Sequence, residues 1–450
     1  MSDLEALMWN LEKDPHLSSS FANVTILDRP PDVDRFRRRM ERAVAIVPRL
    51  RQRVFAGLGR LAPPEWRDAD VDLDFHIRRV ALPAPADERT LFDLATRLAA
   101  EPFDRTRPLW RFTVIDGLDG GRAAMVQQLH HTITDGEGGV RMSVEFLDLQ
   151  RDQPDPEPVP LPDLERGPHG GLVGAALATA GHTARRQLGI TRRAIGEAAD
   201  LAIHPSKVAK LGADAVATTQ SLLRQAAVAD PARSPLWQER SLRRRFEVLR
   251  VPLDDAKRSA KARGGSINDL FVAAVAGGAG AYHRRRGAEV EELRMAMPIS
   301  TREKGDRGGN SFTPTRTLVP MDGDPEARFT AIQERLASVK GERALKLAGS
   351  LAGVLNLLPT SVLTRITRQQ VQTVDFTTSN VRGAPFDLYI AGAHIDANYP
   401  MGPLGGTAFN CTLLSSGGWL DMGLLIDTAA VEDPAGLRSA IDDAWGELLA

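Results

Sequence analysis

The sequence has little cysteine and almost no excess of either charge. Its 450 residues include one cysteine, Cys411, which excludes an intrachain disulfide and any zinc site built from several cysteines. The formal net charge is −1, so no polycationic surface points to nucleic acid as a partner. A single thiol also fits a reducing environment, and we expect a cytoplasmic globular protein.

Long hydrophobic runs are absent as well. The longest apolar stretches, 170–181 and 347–359, are too short to span a bilayer, and the N-terminus lacks the pattern of a signal peptide. Any contact with the inner membrane face or with lipid droplets is therefore expected to be peripheral. The basic stretch 172–229 is the candidate for binding anionic headgroups, and a solvated helical connector is its alternative.

The chain length predicts two domains. Residues 1–150 alternate strand and helix patterns and carry a histidine motif, which makes them an N-terminal lobe. Residues 151–245 form a Pro-rich linker followed by the basic helical connector. Residues 246–450 resume the alternation as a C-terminal lobe. The shared mixture of strands and helices predicts an α/β (α+β) protein with two similar lobes.

The histidine motif, LHHTITDG, covers residues 129–136. Its two histidines end a predicted strand, and neighbours on a strand point to opposite faces, so only one of them can face a cleft. We assign that place to His131 and a structural place to His130. Adjacent strand residues chelate one ion poorly and the other histidines are scattered, so no metal is predicted. No Gly-x-Ser-x-Gly segment supports a serine hydrolase.

His131 suits a general base, because the pKa of imidazole lies near physiological pH. Asp135 has two candidate roles, to orient the imidazole directly or to pair with an arginine and fix the loop. Gly136 is expected to adopt a backbone angle that other residues resist. A structural histidine pair beside an Asx turn remains the alternative, and the motif alone does not choose between them.

Several segments resemble those of a known family. HHxxxDG resembles the signature of the CoA-dependent acyltransferase superfamily. Further segments resemble those of bacterial wax ester synthase/diacylglycerol acyltransferases, in family order and with features of an actinobacterial branch. They are PFDRTRPLWRF (102–112), SINDLFVAAVAGG (266–278), MPISTR (297–302) followed by GGN (308–310), and TTSNVRGAP (377–385).

The resemblance implies two chloramphenicol-acetyltransferase-like lobes with the active site in a tunnel between them. Acyl-CoA would enter from one side, and diacylglycerol or a long-chain alcohol from the other, for triacylglycerol or wax ester synthesis. His131 would deprotonate the acceptor hydroxyl, and the imidazolium would protonate the departing thiolate. The mechanism implies no cofactor, with acyl-CoA as a co-substrate.

The resemblance also suggests supporting residues. Ser379 and Asn380 are candidates for oxyanion donors, with strand-end hydrogen bonding as the alternative. Asn268 and Asp269 are expected to support the site. Trp110 is expected in the core.

Local pattern adds two expectations. Ser266 precedes Asp269 by three residues, and this capping-box spacing explains both residues without a role in the site. Arg302 ends a predicted strand and is expected to pair with Asp135 across the two lobes, with an ordinary surface arginine as the alternative.

One departure bears on the substrate. Arg382 stands in SNVRG where the family pattern suggests a small residue or proline, so the acceptor end is expected to be unusual. The leading hypothesis is long-chain O-acyl transfer to diacylglycerol or a fatty alcohol. Acylation of a secondary-metabolite or glycolipid hydroxyl is a second hypothesis, and a non-catalytic lipid-surface protein is a third, against which the intact motif argues.

Overall fold

A computed structural model describes residues 1–56, 64–162, 232–300, 312–321, 323–340 and 360–450. The predicted basic connector and the apolar stretches 170–181 and 347–359 lie outside the described residues. Within the described ranges, no helix is both long and apolar enough to cross a membrane.

The first part of the chain alternates short strands with amphipathic helices. Its helices are α1 (Asp3–Leu11), α2 (Val33–Ile46), α3 (Pro48–Arg51), α4 (Leu73–His76), α5 (Glu88–Ala100) and α6 (Gly136–Ser143). Its strands are β1 (Ser20–Leu27), β2 (Gln52–Phe55), β3 (Glu65–Asp68), β4 (Ile77–Ala81), β5 (Trp110–Leu118) and β6 (Arg122–His130). Two short 3-10 helices cover Pro15–Leu17 and Asp119–Gly121.

The second part begins after the undescribed connector. Its helices are α7 (Leu253–Ala262), α8 (Ile267–Arg285), α9 (Pro325–Lys340), α10 (Thr360–Val371) and α11 (Pro434–Leu449). Its strands are β7 (Arg244–Pro252), β8 (Glu292–Ser300), β9 (Phe312–Pro320), β10 (Phe376–Arg382), β11 (Tyr389–Ile390), β12 (Ala393–Met401), β13 (Phe409–Ser416) and β14 (Trp419–Asp427).

Two six-stranded sheets organise the described residues. The first sheet has the order β11-β12-β1-β6-β5-β4, and the second has the order β7-β14-β13-β10-β8-β9. The first sheet packs one face on α2 and the other on α5, through Phe36 and Phe92 respectively. The second sheet packs on the apolar helices α8 and α11. Each sheet therefore buries its own helix-covered core, as expected for two mixed lobes.

The two sheets are joined by strands that cross from one half of the chain to the other. β12 pairs antiparallel with β1, with Ala22 opposite Met401 and Ile26 opposite Ala397. The first sheet thus takes two strands from the range 246–450. The domain boundaries predicted at 150 and 246 stay predictions, but they do not separate the two sheets, because β11 and β12 belong to the first sheet. The sequence did not predict this pairing, since such a long-range contact has no local signal.

The part of β12 from Asp396 to Pro400 lies against the second sheet, and this contact is the seam between the sheets. The Asn398 N–H donates to the Asp421 carboxylate at 2.9 Å, and the Arg250 guanidinium donates to the Asp396 carbonyl oxygen at 2.6 Å. Gly423 of β14 allows the Pro400 carbonyl to approach closely, because any Cβ there would collide with that oxygen. The seam therefore fixes the position of one sheet against the other.

Most predicted elements are present. One segment differs from what its sequence pattern predicts, since the alternation in DLDFHIRRVAL (72–82) is typical of a single strand. Its first half forms α4, capped by the Asp72 side chain, which accepts from Asp74 N and Phe75 N. Only Ile77–Ala81 continues as β4. A side-chain cap at Asp72 competes locally with the strand pattern.

Candidate active site

The histidine motif begins at the end of β6, against the start of β1. His130 is the last strand residue and pairs with Ser20, and its N–H donates to the Leu109 carbonyl oxygen at 3.0 Å. His131 lies just beyond the strand, where its N–H donates to the Ser19 carbonyl oxygen at 3.0 Å. The backbone therefore holds both histidines firmly although only one of them belongs to the strand.

His130 faces the interior. Its Nδ1 accepts from the Thr132 N–H at 3.1 Å, which leaves Nε2 to donate to the Glu12 carboxylate at 3.1 Å. The side chain is 1% exposed. With both ring nitrogens occupied by protein groups, His130 is placed to hold the motif rather than to meet a substrate.

Glu12 is a residue that the sequence analysis missed. Besides His130, its carboxylate accepts from Ser19 N at 2.6 Å and from the Ser18 hydroxyl at 2.7 Å. Burial raises the pKa of Glu12, but the hydrogen bonds from His130, Ser19 and Ser18 outweigh burial and leave the pKa below its usual value. The stretch LEKD gives no local signal for this contact, which spans more than one hundred residues.

His131 is more accessible than His130 and packs against Phe21 of β1, with ring centroids 4.6 Å apart. Burial by surrounding protein lowers its pKa to about 4, and the neighbouring His130 lowers it further, while Asp135 opposes both. The imidazole is therefore neutral at physiological pH and can accept a proton. His130 is the buried member of the pair, and the catalytic role of His131 stays a prediction.

Asp135 is the N-cap of α6. Its side chain accepts from the Gly138 N–H at 2.8 Å, and its backbone carbonyl accepts from Gly139 N. The carboxylate raises the pKa of His131 without a hydrogen bond between them being needed. Asp135 thus fixes the first turn of α6 after His131, and both of its predicted roles stay predictions.

Gly136 does not adopt the special backbone angle that was predicted, since its φ is not positive. Space explains this glycine instead. A Cβ at this position would lie 2.9 Å from Cγ2 of Val381 in β10. The first turn of α6 therefore abuts the second sheet next to the histidine motif, and a side chain on residue 136 would push the two apart.

The N-terminus of α8 meets β10 from the other side. Ser266 and Asp269 form a reciprocal capping box: Ser266 N donates to the Asp269 carboxylate at 2.8 Å, and Asp269 N donates to the Ser266 hydroxyl at 3.3 Å. Capping was the predicted alternative for these two residues. Asn268 has a different contact, because its Oδ1 accepts from Asn380 Nδ2 at 3.3 Å.

The two candidate oxyanion donors lie on opposite faces of β10. Val381 points to α6 and Asn380 points to Asn268 of α8, so alternation along the strand puts Ser379 on the α6 side. Ser379 is half-buried and Asn380 is exposed. One oxyanion cannot bind both side chains, and Ser379 lies on the side of the histidine motif.

Arg302 lies outside the described residues, so its pairing with Asp135 stays a prediction. Trp110 is fully buried and its Nε1 donates to the Leu50 carbonyl oxygen at 2.8 Å, which confirms its place in the core. Among the described residues, no group of three or more His, Cys, Asp or Glu side chains could hold a metal ion.

Two linked mixed sheets with a histidine motif at their junction are a fold that the chain shares with proteins of known structure. The structure is similar to that of a wax ester synthase/diacylglycerol acyltransferase from Marinobacter aquaeolei VT8, with a TM-score of 0.66 and 21% identity over 99% of this chain and 97% of that one. It is also similar to a starter condensation domain of rhizomide synthetase, with a TM-score of 0.60 and 14% identity over 100% and 94% of the two chains. The predicted two-lobed fold is confirmed.

Sequence similarity defines the family. The wax ester synthase/diacylglycerol acyltransferase catalytic domain matches residues 1–271, and the C-terminal domain of the same family matches residues 308–448. A putative diacylglycerol O-acyltransferase of Mycobacterium tuberculosis is 37% identical over 462 aligned positions, covering 100% of this chain and 91% of the relative. The chain belongs to the wax ester synthase/diacylglycerol acyltransferase family, and the prediction of an acyltransferase enzyme is confirmed.

Proposed function

We propose that this enzyme transfers a long-chain acyl group from acyl-CoA to the hydroxyl of diacylglycerol or a long-chain alcohol, with His131 as the general base. The observation that carries the proposal is the contrast between the two histidines. His131 keeps accessible surface beside Phe21 and a pKa of about 4, whereas both ring nitrogens of His130 are occupied by protein.

The chemistry follows from a neutral imidazole. His131 takes the proton of the acceptor hydroxyl while the hydroxyl oxygen attacks the thioester carbonyl carbon. The carbon–sulfur bond then breaks, and the imidazolium returns the proton to the CoA thiolate. Ser379, on the α6 side of β10, is the better placed of the two candidates to donate to the oxyanion. The step requires neither a metal nor a cofactor.

Acceptor screening tests this function. Purified enzyme is given palmitoyl-CoA with dipalmitoylglycerol, with hexadecanol, or with no alcohol, and free thiol is measured together with the ester formed. We expect one CoA per ester with at least one of the two alcohols and little thiol without an alcohol. Thiol release that ignores the alcohol would indicate a thioesterase and contradict the proposal.

We also propose peripheral contact with an anionic membrane or a lipid droplet through the basic stretch 172–229. An excess of Lys and Arg in a nearly neutral protein supports this contact. Binding to vesicles of phosphatidylglycerol and phosphatidylcholine should weaken steeply as salt rises, because surface charges are screened. Binding that is independent of salt, or equal on pure phosphatidylcholine vesicles, would refute it.

A further inference from the structure

A row of polar side chains continues from His131 along the same face of the first sheet. Phe21 contacts His131, and Asn23 is the next residue of β1 on that face, about 7 Å further along the strand. Gln127 of β6 lies opposite Asn23, and Asn398 of β12 lies opposite Thr25. The alkyl chain of an acyl group or of a plain fatty alcohol has no groups that could form hydrogen bonds with such a row.

Hydrogen bonds within the row fix the orientation of the Asn23 carboxamide. Its Nδ2 donates to the Thr25 hydroxyl at 2.9 Å and to Asn398 Oδ1 at 2.8 Å. The Thr25 hydroxyl donates to Asn398 Oδ1 at 2.8 Å and accepts from Gln127 Nε2 at 3.0 Å. In this hydrogen-bond arrangement the nitrogen of Asn23 faces Thr25 and Asn398, and its carbonyl oxygen points elsewhere.

That oxygen has no donor. Among the described residues, Asn23 Oδ1 is buried and accepts no hydrogen bond. A buried acceptor without a donor destabilises a protein unless a partner arrives, and an apolar side chain here would avoid the penalty. Asn23 as a whole is only half-buried, so the side chain that carries this oxygen borders accessible space on the His131 face.

We propose that Asn23 Oδ1 is a specificity determinant that accepts a hydrogen bond from a second hydroxyl of the acceptor. The reacting hydroxyl lies at His131, and the second hydroxyl lies along β1. This inference rests on the acyl transfer of the proposed function and changes its acceptor, because diacylglycerol and a plain fatty alcohol each have only one free hydroxyl. The preferred acceptor is an alcohol with at least two hydroxyl groups, such as a monoacylglycerol or a polyol-bearing lipid, rather than a plain fatty alcohol.

The charge of the adjoining cavity assigns the row to the acceptor rather than to CoA. Asn398 also lines a cavity at the seam between the sheets, together with Asp387, Asp396, Asp421 and Arg250. Arg250 is already paired with Asp421 at 2.9 Å. The other two carboxylates, Asp387 and Asp396, lie 3.9 and 2.8 Å from the ring nitrogens of His394, which also lines the cavity. With a neutral imidazole the cavity keeps a net negative charge, which disfavours the phosphates of CoA but not a neutral polyol.

Two acceptors that differ by one hydroxyl test the proposal. They are 1-O-hexadecylglycerol and 3-hexadecyloxypropan-1-ol, which share the chain and the primary hydroxyl, while only the first has a secondary hydroxyl. The ratio of their kcat/KM values is measured with palmitoyl-CoA. We expect the wild type to favour the diol at least about tenfold, because the analogue leaves the buried acceptor without a donor.

Asn23→Leu should bring that ratio close to one. Gln128→Leu is the matched control: it removes a buried amide from the opposite face of the sheet, where Gln128 donates to Ala99 O and Glu101 O. This control should lower the melting temperature but keep the wild-type ratio. If Asn23→Leu does not fold, Asn23→Ala takes its place, because it adds no apolar bulk.

Three results would overturn the proposal. The first is a wild-type ratio near one, and the second is an unchanged ratio in the Asn23 variant. The third is a change in acyl-donor selectivity in the Asn23 variant instead. It would be seen as a changed preference between the palmitoyl thioesters of N-acetylcysteamine and of 2-mercaptoethyl acetate, in which an ester oxygen replaces the amide N–H. Because both acceptors carry a primary hydroxyl, inactivity toward both would count against the proposed function and not against Asn23 alone.

Discussion

Two helix N-termini, those of α6 and α8, meet β10 from opposite sides, and they use their acidic residues in the same way. Asp135 caps α6 through Gly138, and Asp269 closes a capping box with Ser266 at the start of α8. Neighbouring residues make the contacts that differ. Gly136 packs on Val381, while Asn268 accepts a hydrogen bond from Asn380.

At both N-termini the acidic residue has a structural role that is distinct from proton transfer. A carboxylate that caps a helix is committed to backbone N–H groups and is poorly placed for proton transfer. On the α6 side, the capping hydrogen bond of Asp135 fixes the loop that carries His131. On the α8 side, the capping box fixes an amide that ties the helix to β10. Among the described residues at these two N-termini, an imidazole stands at α6, and the proposed proton transfer is assigned to it.

The largest expected effect comes from removing that imidazole. His131→Ala should lower kcat by about a thousandfold, which lies within the usual range for a lost general base. His130→Ala should instead lower the melting temperature, because it removes the His130 hydrogen bond from the partly buried Glu12 carboxylate. Rates and melting curves of both variants check the contrast. A catalytic loss for His130→Ala at unchanged stability would exchange their assignments.

Gly136→Ala should come next. Its Cβ would press on Val381 and separate α6 from β10, and we expect a loss of about tenfold to a hundredfold in kcat/KM from misplaced groups. Val381→Ala should relieve the overlap, so the double variant should recover most of the activity. If the double variant is no better than Gly136→Ala, the overlap is not the cause.

The two caps should respond alike. Asp135→Ala and Asp269→Ala should each lower the free energy of unfolding by about 1 kcal/mol, whereas Asp135→Asn should keep the cap, because asparagine also accepts from Gly138 N. Denaturant titrations measure this. A large loss for Asp135→Asn would instead favour the predicted pairing with Arg302.

The smallest effect concerns pH. With a His131 pKa of about 4, kcat/KM should change less than about twofold between pH 7 and 5.5, whereas an ordinary histidine pKa would give a loss of about eightfold. The sign for stability follows from the same shift. The unfolded chain protonates His131 first, so its contribution to stability falls as pH drops from about 6.5 toward 4. Comparing pH-dependent melting of the wild type and His131→Ala isolates it.

Local patterns predicted much of this architecture. The strand pattern of β1 and the apolar run of α8 follow from the residue pattern over a few positions. The capping box at Ser266 was equally readable. These features depend on neighbours in the chain, and such neighbours are visible in the sequence.

The missed features depend on distant partners. The pairing of β12 with β1, the Glu12–His130 contact and the packing of Gly136 on Val381 each join residues far apart in the chain. A single sequence gives no register for such contacts. The Gly136 prediction failed for this reason, because its glycine serves a close approach of another strand and not a local turn.

Direct transfer by His131, without an acyl-enzyme, is the central claim. The most direct measurement is the intact mass of the enzyme, together with free thiol, after mixing with excess palmitoyl-CoA in the absence of alcohol. The account predicts an unmodified mass and almost no thiol until an alcohol is added, when one CoA appears per ester. A protein mass increased by one acyl group, with stoichiometric thiol released before any alcohol, would contradict it.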